Sequence, residues 1–513
     1  MAEQLLTTTI QAPGFMGLNL QDSSVGLDNG FATEATNCII DKAGRIGSRK
    51  GWTPVNTVHA NLTGYDVKAI GQLIASDGTA YIVVAGNNRL FSLSGSTLTE
   101  LTYNGGGSAP TITADHWQMA PLSGALWLYQ SGHDPLIFDP STSTTEYTRI
   151  TEVAGYAGTV QAANCVISAY GRTWSANTTT NKSTIQFSDL LSGQVLTTGT
   201  AGTLDVSEVW PAGSDEIIAL AAHNGFLDIF GRRQILVYSG ATDPSTMVLA
   251  DAISGVGCVA RDSVVVTGGD VVFLSDSGVR SLQRVIQEKS APLRELSLNV
   301  KDALILDLVG IDENTIKAVY SDTESFYLLS LPTKDKVYCF DMRSILQNGA
   351  ARTTVWTDIS PTALCYTRGK RLLLGQTSYV GLYEEYQDNG ASYRMAYYTN
   401  YFDFQKPTSL KILKKVGIIF SGGNGNYVTL KWGFDYDSLT KSHTVRLLAG
   451  NASEFSVSEF SEAEYTNNVY FSNRLFQGSG AGNVLQLGVE TVINGSSLSV
   501  QKLDCYVKEG RTR

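Results

Sequence analysis

Short apolar runs separated by tight polar turns recur along most of the chain. The segment Gly225–Gly240 has one apolar run, a turn around Arg232, and a second apolar run. The segment Gly269–Leu282 repeats this order around Asp276–Gly278. Two apolar runs that flank a short turn indicate a β-hairpin. Because a lone hairpin leaves two strand edges uncovered, the pattern predicts neighbours of the same kind.

Five further segments have the same hairpin pattern: Ala80–Leu93, Ala125–Phe138, Cys165–Phe187, Phe326–Phe340 and Arg371–Tyr383. The seven turns are about 40 to 60 residues apart, which is roughly the length of a four-stranded propeller blade. A large β-sandwich made of ordinary hairpins is the alternative, but seven units in one run exceed what two sheets usually need. The pattern therefore favours a β-propeller of six or seven blades over residues 61–390.

Residues 1–60 have the least regular pattern and are predicted to form an irregular N-terminal arm. Within the arm, Cys38–Ile40 and Arg45–Ile46 are predicted to pair as a hairpin closed by Asp41–Gly44. A short helix is predicted at Ala32–Thr36.

From Tyr393 onward the apolar and polar positions alternate over longer runs. In Tyr427–Tyr436, for example, every second residue is apolar, so one face of the predicted strand is apolar. Asn494-Gly495 lies between two such runs and predicts a hairpin. Residues 391–513 are therefore predicted to form a separate C-terminal β-sandwich domain.

The composition supports an all-β fold. The 513 residues include 50 Gly and 24 Tyr, and only 17% are charged. A second helix is predicted at Leu298–Leu308 with Asn299 as its N-cap, so the helix content should stay below ~15%. No apolar run approaches the ~20 residues needed to span a bilayer, and Met1–Thr9 lacks the features of a signal peptide.

The six cysteines are scattered and form no Cys-x-x-Cys pair: Cys38, Cys165, Cys258, Cys339, Cys365 and Cys505. Most lie within apolar runs, so we expect unpaired, buried thiols and folding in a reducing compartment.

The net charge of −10 is unevenly distributed along the sequence. Residues 61–220 contain 13 Asp and Glu but only 5 Lys and Arg, which gives −8 for this region. A protein that binds nucleic acid through the phosphates has the opposite charge. The sequence therefore argues against tight binding of DNA.

Motifs for catalysis or metal binding are sparse. The turns Ser76–Thr79 and Ser275–Gly278 differ in spacing from the sialidase repeat Ser-x-Asp-x-Gly-x-Thr-Trp and lack its Trp. The adjacent acids in Glu384–Glu385 and Asp215–Glu216 should point to opposite faces of a strand. The five histidines are isolated, and Asp22–Asp28 lacks the acidic alternation of a calcium loop. We therefore predict no catalytic, cofactor-binding or metal-binding residues, and no enzyme activity.

Two small basic clusters are interpreted as edge-strand charges or subunit contacts rather than as a nucleic-acid track. They consist of Lys411, Lys414 and Lys415, and of Arg368, Lys370 and Arg371.

Several segments carry a family resemblance: Asp41–Gly51, Gly171–Asn177 with Ile185–Leu190, Phe230–Gly240, Gly255–Leu282, and Val337–Asp341 with Trp356. In sequence and in order they resemble the nozzle protein of short-tailed bacteriophages, also called tail tubular protein B or tail hub protein. The likeness extends over roughly residues 14–386, and the C-terminal domain has no motif that matches the family.

This resemblance implies a homo-hexameric ring in the virion tail, assembled in the host cytoplasm. The ring would lie below the portal and the head-to-tail adaptor and would carry a tail fibre or tailspike. Viral DNA would pass through its channel without tight binding. The resemblance implies no catalytic residues and no cofactor.

Two other functions remain open from the sequence. The first is a glycan-binding or glycan-degrading propeller, and the second is a propeller scaffold for cellular partners. The oligomeric state separates these from a tail nozzle, because a nozzle requires a ring.

Overall fold

The structure is a computed structural model that describes residues 5–113, 115–288, 295–437, 439–447 and 471–512. Strands account for 52% of it and helices for 7%, so the predicted all-β class is confirmed and the helix content lies below the expected limit. No described helix is long and apolar enough to cross a bilayer. The helices are α1 (Leu282–Glu288), α2 (Lys301–Leu308) and the 3-10 turns Ala60–Leu62, Ile150–Glu152, Pro244–Thr246, Arg261–Ser263, Leu298–Val300, Glu313–Thr315 and Pro332–Lys334.

The N-terminal arm contributes six strands: β1 (Leu5–Gln11), β2 (Gly17–Leu18), β3 (Phe31–Thr36), β4 (Cys38–Ile40), β5 (Ile46–Ser48) and β6 (Trp52–Pro54). The predicted hairpin is confirmed, because β4 pairs antiparallel with β5. The helix predicted at Ala32–Thr36 is wrong, because these residues lie in β3. Burial of Ala32 and Ala35 in the core, together with strand pairing, overrides their helix propensity.

Residues between Val67 and Tyr383 form the β-propeller. It has six four-stranded blades, and a three-stranded sheet completes the ring between blades 4 and 5. Blade 1 is β7 (Val67–Ile74), β8 (Ala80–Gly86), β9 (Arg89–Ser94) and β10 (Thr97–Glu100). The short strand β11 (Thr102–Tyr103) precedes blade 2 in the chain and pairs with its outermost strand. Blade 2 is β12 (Trp117–Leu122), β13 (Ala125–Gln130), β14 (Leu136–Phe138) and β15 (Glu146–Arg149).

The remaining sheets follow in chain order. Blade 3 is β16 (Ala163–Ala169), β17 (Arg172–Thr178), β18 (Thr184–Phe187) and β19 (Gly202–Asp205); blade 4 is β20 (Ile217–His223), β21 (Phe226–Gly231), β22 (Gln234–Ser239) and β23 (Val248–Ser254). The three-stranded sheet is β24 (Val265–Thr267), β25 (Asp270–Ser275) and β26 (Gly278–Ser281). Blade 5 is β27 (Lys317–Ser321), β28 (Phe326–Leu331), β29 (Lys336–Ile345) and β30 (Ala351–Trp356); blade 6 is β31 (Ala363–Tyr366), β32 (Leu372–Gln376), β33 (Tyr379–Tyr383) and β6.

The first strands of the seven sheets surround the propeller axis in chain order, and β31 contacts β7 to close the ring. The N-terminal strand β6 is the outermost strand of blade 6, where Trp52 lies opposite Tyr383. The ring therefore cannot open at blade 6 without breaking this ladder. All seven predicted hairpins are present, as the pairs β8–β9, β13–β14, β16–β17, β21–β22, β25–β26, β28–β29 and β32–β33.

The C-terminal strands form a two-layered β-sandwich with strands of the N-terminal arm. They are β34 (Tyr393–Thr399), β35 (Ser409–Gly422), β36 (Tyr427–Phe434), β37 (Lys441–Arg446), β38 (Phe471–Gln477), β39 (Ala481–Gly482), β40 (Leu485–Ile493) and β41 (Leu498–Thr512). One sheet has the order β38-β35-β41-β5-β4, with β1 on β41 and β39 on β35. The other has the order β34-β40-β36-β37 and continues through β3 into blade 5 as one ten-stranded sheet.

The hairpin predicted at Asn494-Gly495 is wrong. β40 pairs with β34 and β36, whereas β41 pairs with β35, β1 and β5. The turn therefore carries the chain from one sheet to the other. The apolar faces of both strands point into one core, where Leu487 and Leu503 are buried, so alternation alone could not distinguish the two arrangements.

The helix predicted at Leu298–Leu308 is present as a 3-10 turn followed by α2. Asn299 is not its N-cap, because Val300 occupies that position and makes no side-chain capping bond. Asn299 is instead buried, and its Oδ1 accepts a hydrogen bond from Asn348 Nδ2 at 2.8 Å.

Arg49 lies in the short link between the sandwich strand β5 and the propeller strand β6, and its side chain is fully buried. The guanidinium donates to both oxygens of Asp388, at 2.8 and 2.7 Å. Its Nε donates to Asn37 Oδ1 at 2.9 Å and its Nη2 to the carbonyl oxygen of Thr357 at 3.1 Å. The same group lies 4.0 Å from the ring centre of Tyr393. Arg49 thus connects the arm, the end of the propeller and the first strand of the sandwich.

We expect Arg49→Met to lower the free energy of unfolding by about 3–5 kcal/mol, because it leaves the Asp388 carboxylate buried without its charge partner. The measurement is the midpoint of the first urea-unfolding transition, followed by tryptophan fluorescence. Adding Asp388→Asn should recover part of the loss.

The matched control for this prediction is Arg89→Met. Arg89 pairs with Glu100 at an exposed site, so its loss should change stability by less than about 1 kcal/mol. Equal effects of the two Arg→Met variants would contradict a central role for Arg49.

Candidate functional site

The propeller axis is crossed by the side chain of Arg261, which follows blade 4 and is almost fully buried. Its Nη2 donates to the carbonyl oxygen of Trp117 at 3.0 Å, and its Nη1 donates to those of His116, at 3.3 Å, and Asn164. Its Nε and Nη2 donate to the Asp262 carboxylate at 2.7 and 2.9 Å. All five guanidinium N–H groups therefore have acceptors within the protein.

Lys317, at the start of β27, also donates to the Asp262 carboxylate. Burial alone would raise the pKa of Asp262, but the charges of Arg261 and Lys317 and their hydrogen bonds hold it well below its usual range. These ions bind one another and cross-link blades 2, 3 and 5. A cavity of about 220 Å³ remains beside them on the axis.

A larger cavity, of about 560 Å³, lies between blade 2 and the segment that follows β18. The carboxylate of Glu152 accepts a hydrogen bond from the Tyr103 hydroxyl at 2.5 Å, and that of Glu146 accepts one from Asn104 Nδ2 at 2.8 Å. The hydrogen bond to Glu152 raises the pKa of Tyr103. The carboxylates of Glu146 and Glu152 thus each accept a hydrogen bond within the protein and also line the cleft, where a polar ligand can reach them.

A third cavity, of about 340 Å³, lies between blade 4 and the three-stranded sheet. Asp228 reaches it from the middle of β21, opposite Ala221 of β20 and Val237 of β22. Because side chains alternate along a strand, Asp228 shares its face with Phe226 and Phe230. It is only 2% exposed, so a carboxyl group is buried on a face of β21 that is otherwise apolar.

The Asp228 carboxyl is not neutralised by a neighbour. Its Oδ2 has no hydrogen-bond partner among the described residues. Burial, and secondly the charge of Asp270, raises the pKa of Asp228 to about 7. Asp270 itself is well bonded: its Oδ1 accepts from the backbone N–H of Val271 at 2.7 Å and of Gln283 at 3.0 Å, and its Oδ2 accepts from Ser281.

The adjacent acids Asp215–Glu216 and Glu384–Glu385 include residues with local structural roles. Asp215 accepts hydrogen bonds from the backbone N–H groups of Arg232 and Arg233 at 3.1 and 2.9 Å, so it holds the β21–β22 turn. Glu384 accepts one from Thr53 Oγ1 at 2.6 Å, across the pair that closes blade 6. Within the described ranges, no group of three or more His, Cys, Asp and Glu side chains is placed to hold a metal ion.

The interpretation of Lys411 as an edge-strand charge is wrong. It lies in β35, where it pairs with Gly482 of β39 and Glu509 of β41, and its side chain is buried. Its Nζ donates to the carbonyl oxygen of Asn483 at 2.7 Å and to that of Lys406. Lys414 and Lys415 are exposed.

The six cysteines are free thiols, and all but the half-buried Cys365 are buried. Burial raises the pKa of Cys165, Cys258 and Cys365 to about 12. Thiols with such pKa values are poor nucleophiles near neutral pH.

Neither Asp228 nor Arg261 is among the candidate residues that the sequence motifs indicate. For Asp228 a signal was present, because an acid at the centre of the apolar run Phe226–Phe230 lies on the same face as both phenylalanines. Arg261 gives no local signal for its role at the axis, because the backbone acceptors that it links there are on residues about 100 and 145 positions earlier in the chain.

No family model matches the chain, and no curated protein matches it. Among solved structures, it is similar to the WD40 domain of Pan2 from Neurospora crassa, at 9% identity over 66% of this chain and 96% of that one, with a TM-score of 0.41. It is also similar to the extracellular domain of the putative one component system BT4673 from B. thetaiotaomicron, at 14% identity over 89% and 64% of the chains, with a TM-score of 0.42. A streptogramin B lyase has 10% identity over 65% and 97% of the chains, with a TM-score of 0.38. Likenesses at this level do not bear on function.

We expect Asp228→Asn to stabilise the protein at high pH. The folded-state pKa of about 7 lies above the unfolded value, so ionisation costs folding free energy as the pH rises from about 4 through 7, by up to about 4 kcal/mol. The variant should therefore exceed the wild type in Tm at pH 8, and the difference should fall close to zero by about pH 3.5.

The control for this pH series is Asp134→Asn, which removes the same charge at an exposed position. It should show no pH-dependent gain. A gain of Asp228→Asn that is constant across the series would mean that the carboxyl is not the group that titrates.

Proposed function

We propose that this chain is a structural protein of a bacteriophage virion tail, a nozzle that forms a ring-shaped channel for genome ejection. The observation that carries the proposal is the ten-stranded sheet that joins blade 5 to the sandwich through β3. A continuous sheet transmits force through main-chain hydrogen bonds, which suits a wall element of a tube under mechanical load.

The positions of the segments that resemble the nozzle family support this proposal. Gly171–Asn177 and Phe230–Gly240 form the turn and second strand of hairpins in blades 3 and 4. Gly255–Leu282 builds the three-stranded sheet, and Asp41–Gly51 runs from the β4–β5 hairpin to Arg49 and the propeller. The similar residues are thus those that fix turns and connections, as expected for a shared scaffold.

The charge distribution also supports the proposal. The region with an excess of acidic residues, 61–220, coincides with blades 1 to 3. Each copy in a ring would repeat that surface, and a like-charged wall lets the phosphates of DNA pass without being held. We assign blades 1 to 3, or the loops that join them, to the lumen or the lower surface of the tube.

The partners follow from the same proposal: five further copies of this chain, a portal or adaptor above the ring, and a fibre or tailspike attached to it. The protein would not be an enzyme. Arg261 supports this view, since its five donors are used within the protein.

A glycan-binding or glycan-degrading propeller is the second candidate. The cavity at blade 2 favours it, because Glu146 and Glu152 face a cleft of about 560 Å³ that could accept sugar hydroxyl groups. Release of reducing sugar from a capsular polysaccharide, lost in Glu152→Gln, would select this candidate over the nozzle.

We expect the purified protein to form rings of six copies, because head-to-tail contacts close at a fixed number of subunits. Negative-stain electron microscopy and native mass spectrometry measure this directly, with and without an adaptor protein. A species that remains monomeric at high concentration and in the presence of the adaptor would count against the nozzle.

We expect duplex DNA to bind the protein with a Kd weaker than micromolar even at about 50 mM salt, because tight binding needs several cationic phosphate contacts. Fluorescence anisotropy of a labelled duplex measures the affinity. Arg368→Glu should leave this weak binding unchanged if the exposed basic cluster is not a DNA track. Sub-micromolar binding that falls steeply with salt would contradict the proposed repulsive wall.

A further inference from the structure

The cavity between blade 4 and the three-stranded sheet has the features of a binding site for an organic cation. Three carboxyl groups line it from three strands, namely Asp228 of β21, Asp251 of β23 and Asp270 of β25, and no Lys or Arg is among the residues described along its wall. The rest of the wall combines apolar side chains such as those of Phe226, Leu282 and Ile286 with the polar residues His223, Asn224 and Gln283. Asp228 has a buried oxygen without a partner among the described residues, so we expect a ligand to place a positively charged group beside it and apolar atoms against Phe226 and Leu282.

Two polar atoms in this cavity lack a partner among the described residues. One is Asp228 Oδ2, and the other is His223 Nε2, both buried. Buried polar atoms in native proteins are nearly always hydrogen-bonded, so two unpaired ones in a single cavity indicate missing donors. A ligand with two N–H-bearing groups would satisfy both.

The strand register places these two anchors in neighbouring strands, close to each other along the chain direction. His223 is opposite Phe226 in the β20–β21 hairpin, and Phe226 is two residues before Asp228 on the same face. Two residues along a strand span about 7 Å, so the two side chains start from backbone positions that one short ligand can bridge. A short alkyl chain with a nitrogen at each end can therefore offer a donor to both acceptors.

A metal ion fits this cavity less well than an amine. Cations such as Ca²⁺ need about six oxygen ligands that converge on one point, but the oxygens of Asp270 already accept hydrogen bonds from Val271, Gln283 and Ser281. A single available carboxylate oxygen is enough for a charge-assisted hydrogen bond to an ammonium group. The volume of about 340 Å³ holds on the order of ten water molecules, which is ample for a short diamine.

We propose that this cavity binds a small linear alkyl diamine, with Asp228 as the acceptor for one ammonium group and His223 Nε2 as the acceptor for the other nitrogen. The methylene chain would lie against Phe226 and Leu282. His223 can accept when its proton is on Nδ1. The proposal does not depend on the tail assignment, because the contacts lie within one chain.

The test is calorimetric titration of the full-length protein with 1,4-diaminobutane, beside the neutral 1-butanol and the chlorides of magnesium, calcium and zinc. We expect one diamine per chain and no saturable binding of the alcohol. Asp228→Asn should weaken the Kd for the diamine by at least about tenfold, which corresponds to the ~1.4 kcal/mol of one decade. Asp134→Asn is the charge-matched control and should bind as the wild type does.

A second variant tests the cavity without changing a charge. Gly269 lines the cavity, and a Cβ placed there would have Thr267 O as its nearest neighbour, at 4.0 Å. Gly269→Leu should therefore fold and should weaken diamine binding by occupying the space. Equal affinity in the wild type and Asp228→Asn, binding of 1-butanol as strong as that of the diamine, or preferential binding of a divalent metal would each overturn the proposal.

Discussion

The buried guanidinium of Arg49 is the interaction on which the arrangement of the two domains depends. β5 belongs to the sandwich and β6 to the propeller, so residues 49–51 form the link between them. The link is tightly enclosed, since a Cβ on Gly51 would lie 1.9 Å from the carbonyl oxygen of Gln387. Because the backbone of the link cannot shift, the ion pair of Arg49 with Asp388 fixes the position of the end of the propeller relative to the start of the sandwich.

Contacts between residues that are distant in the sequence also close the propeller. Its ends are joined by β6, and its centre is cross-linked by Arg261. Both devices use residues that are far apart in the sequence, and neither requires a covalent bond, since the six cysteines are free. A propeller held in this way is rigid at its axis, where many propellers have an open channel. The cavities of about 560 and 340 Å³ lie away from the axis, beside blade 2 and between blade 4 and the three-stranded sheet.

The sequence predicted the parts of the fold that depend on neighbouring residues. Seven hairpins were found because each turn lies next to the two strands that it joins. The partners of β3 could not be predicted, because Ala32 pairs with Thr399 and Thr36 with Val355, and a local Ala-Thr-Glu-Ala run favours a helix. The Asn494-Gly495 turn shows the same limit, since alternation identifies which face of a strand is buried but not which strand lies beside it. At the candidate site, the lone acid of β21 was visible in the sequence, whereas its unpaired state depends on the packing of the next sheet.

Asp228 differs from other buried carboxylates of this protein because no cation pairs with it among the described residues. Glu295 is 4% exposed at its side chain, but Arg280 and Lys301 pair with it at 2.6 and 3.0 Å. Asp262 has two cations, and Asp388 has Arg49. The protein thus pairs these buried carboxylates with cations and leaves Asp228 without one among the described residues. Leucine or phenylalanine at this position would extend the apolar face of β21 and remove a large ionisation penalty. An unfavourable group that the surrounding fold tolerates is better explained by a ligand that compensates for its charge than by a contribution to stability.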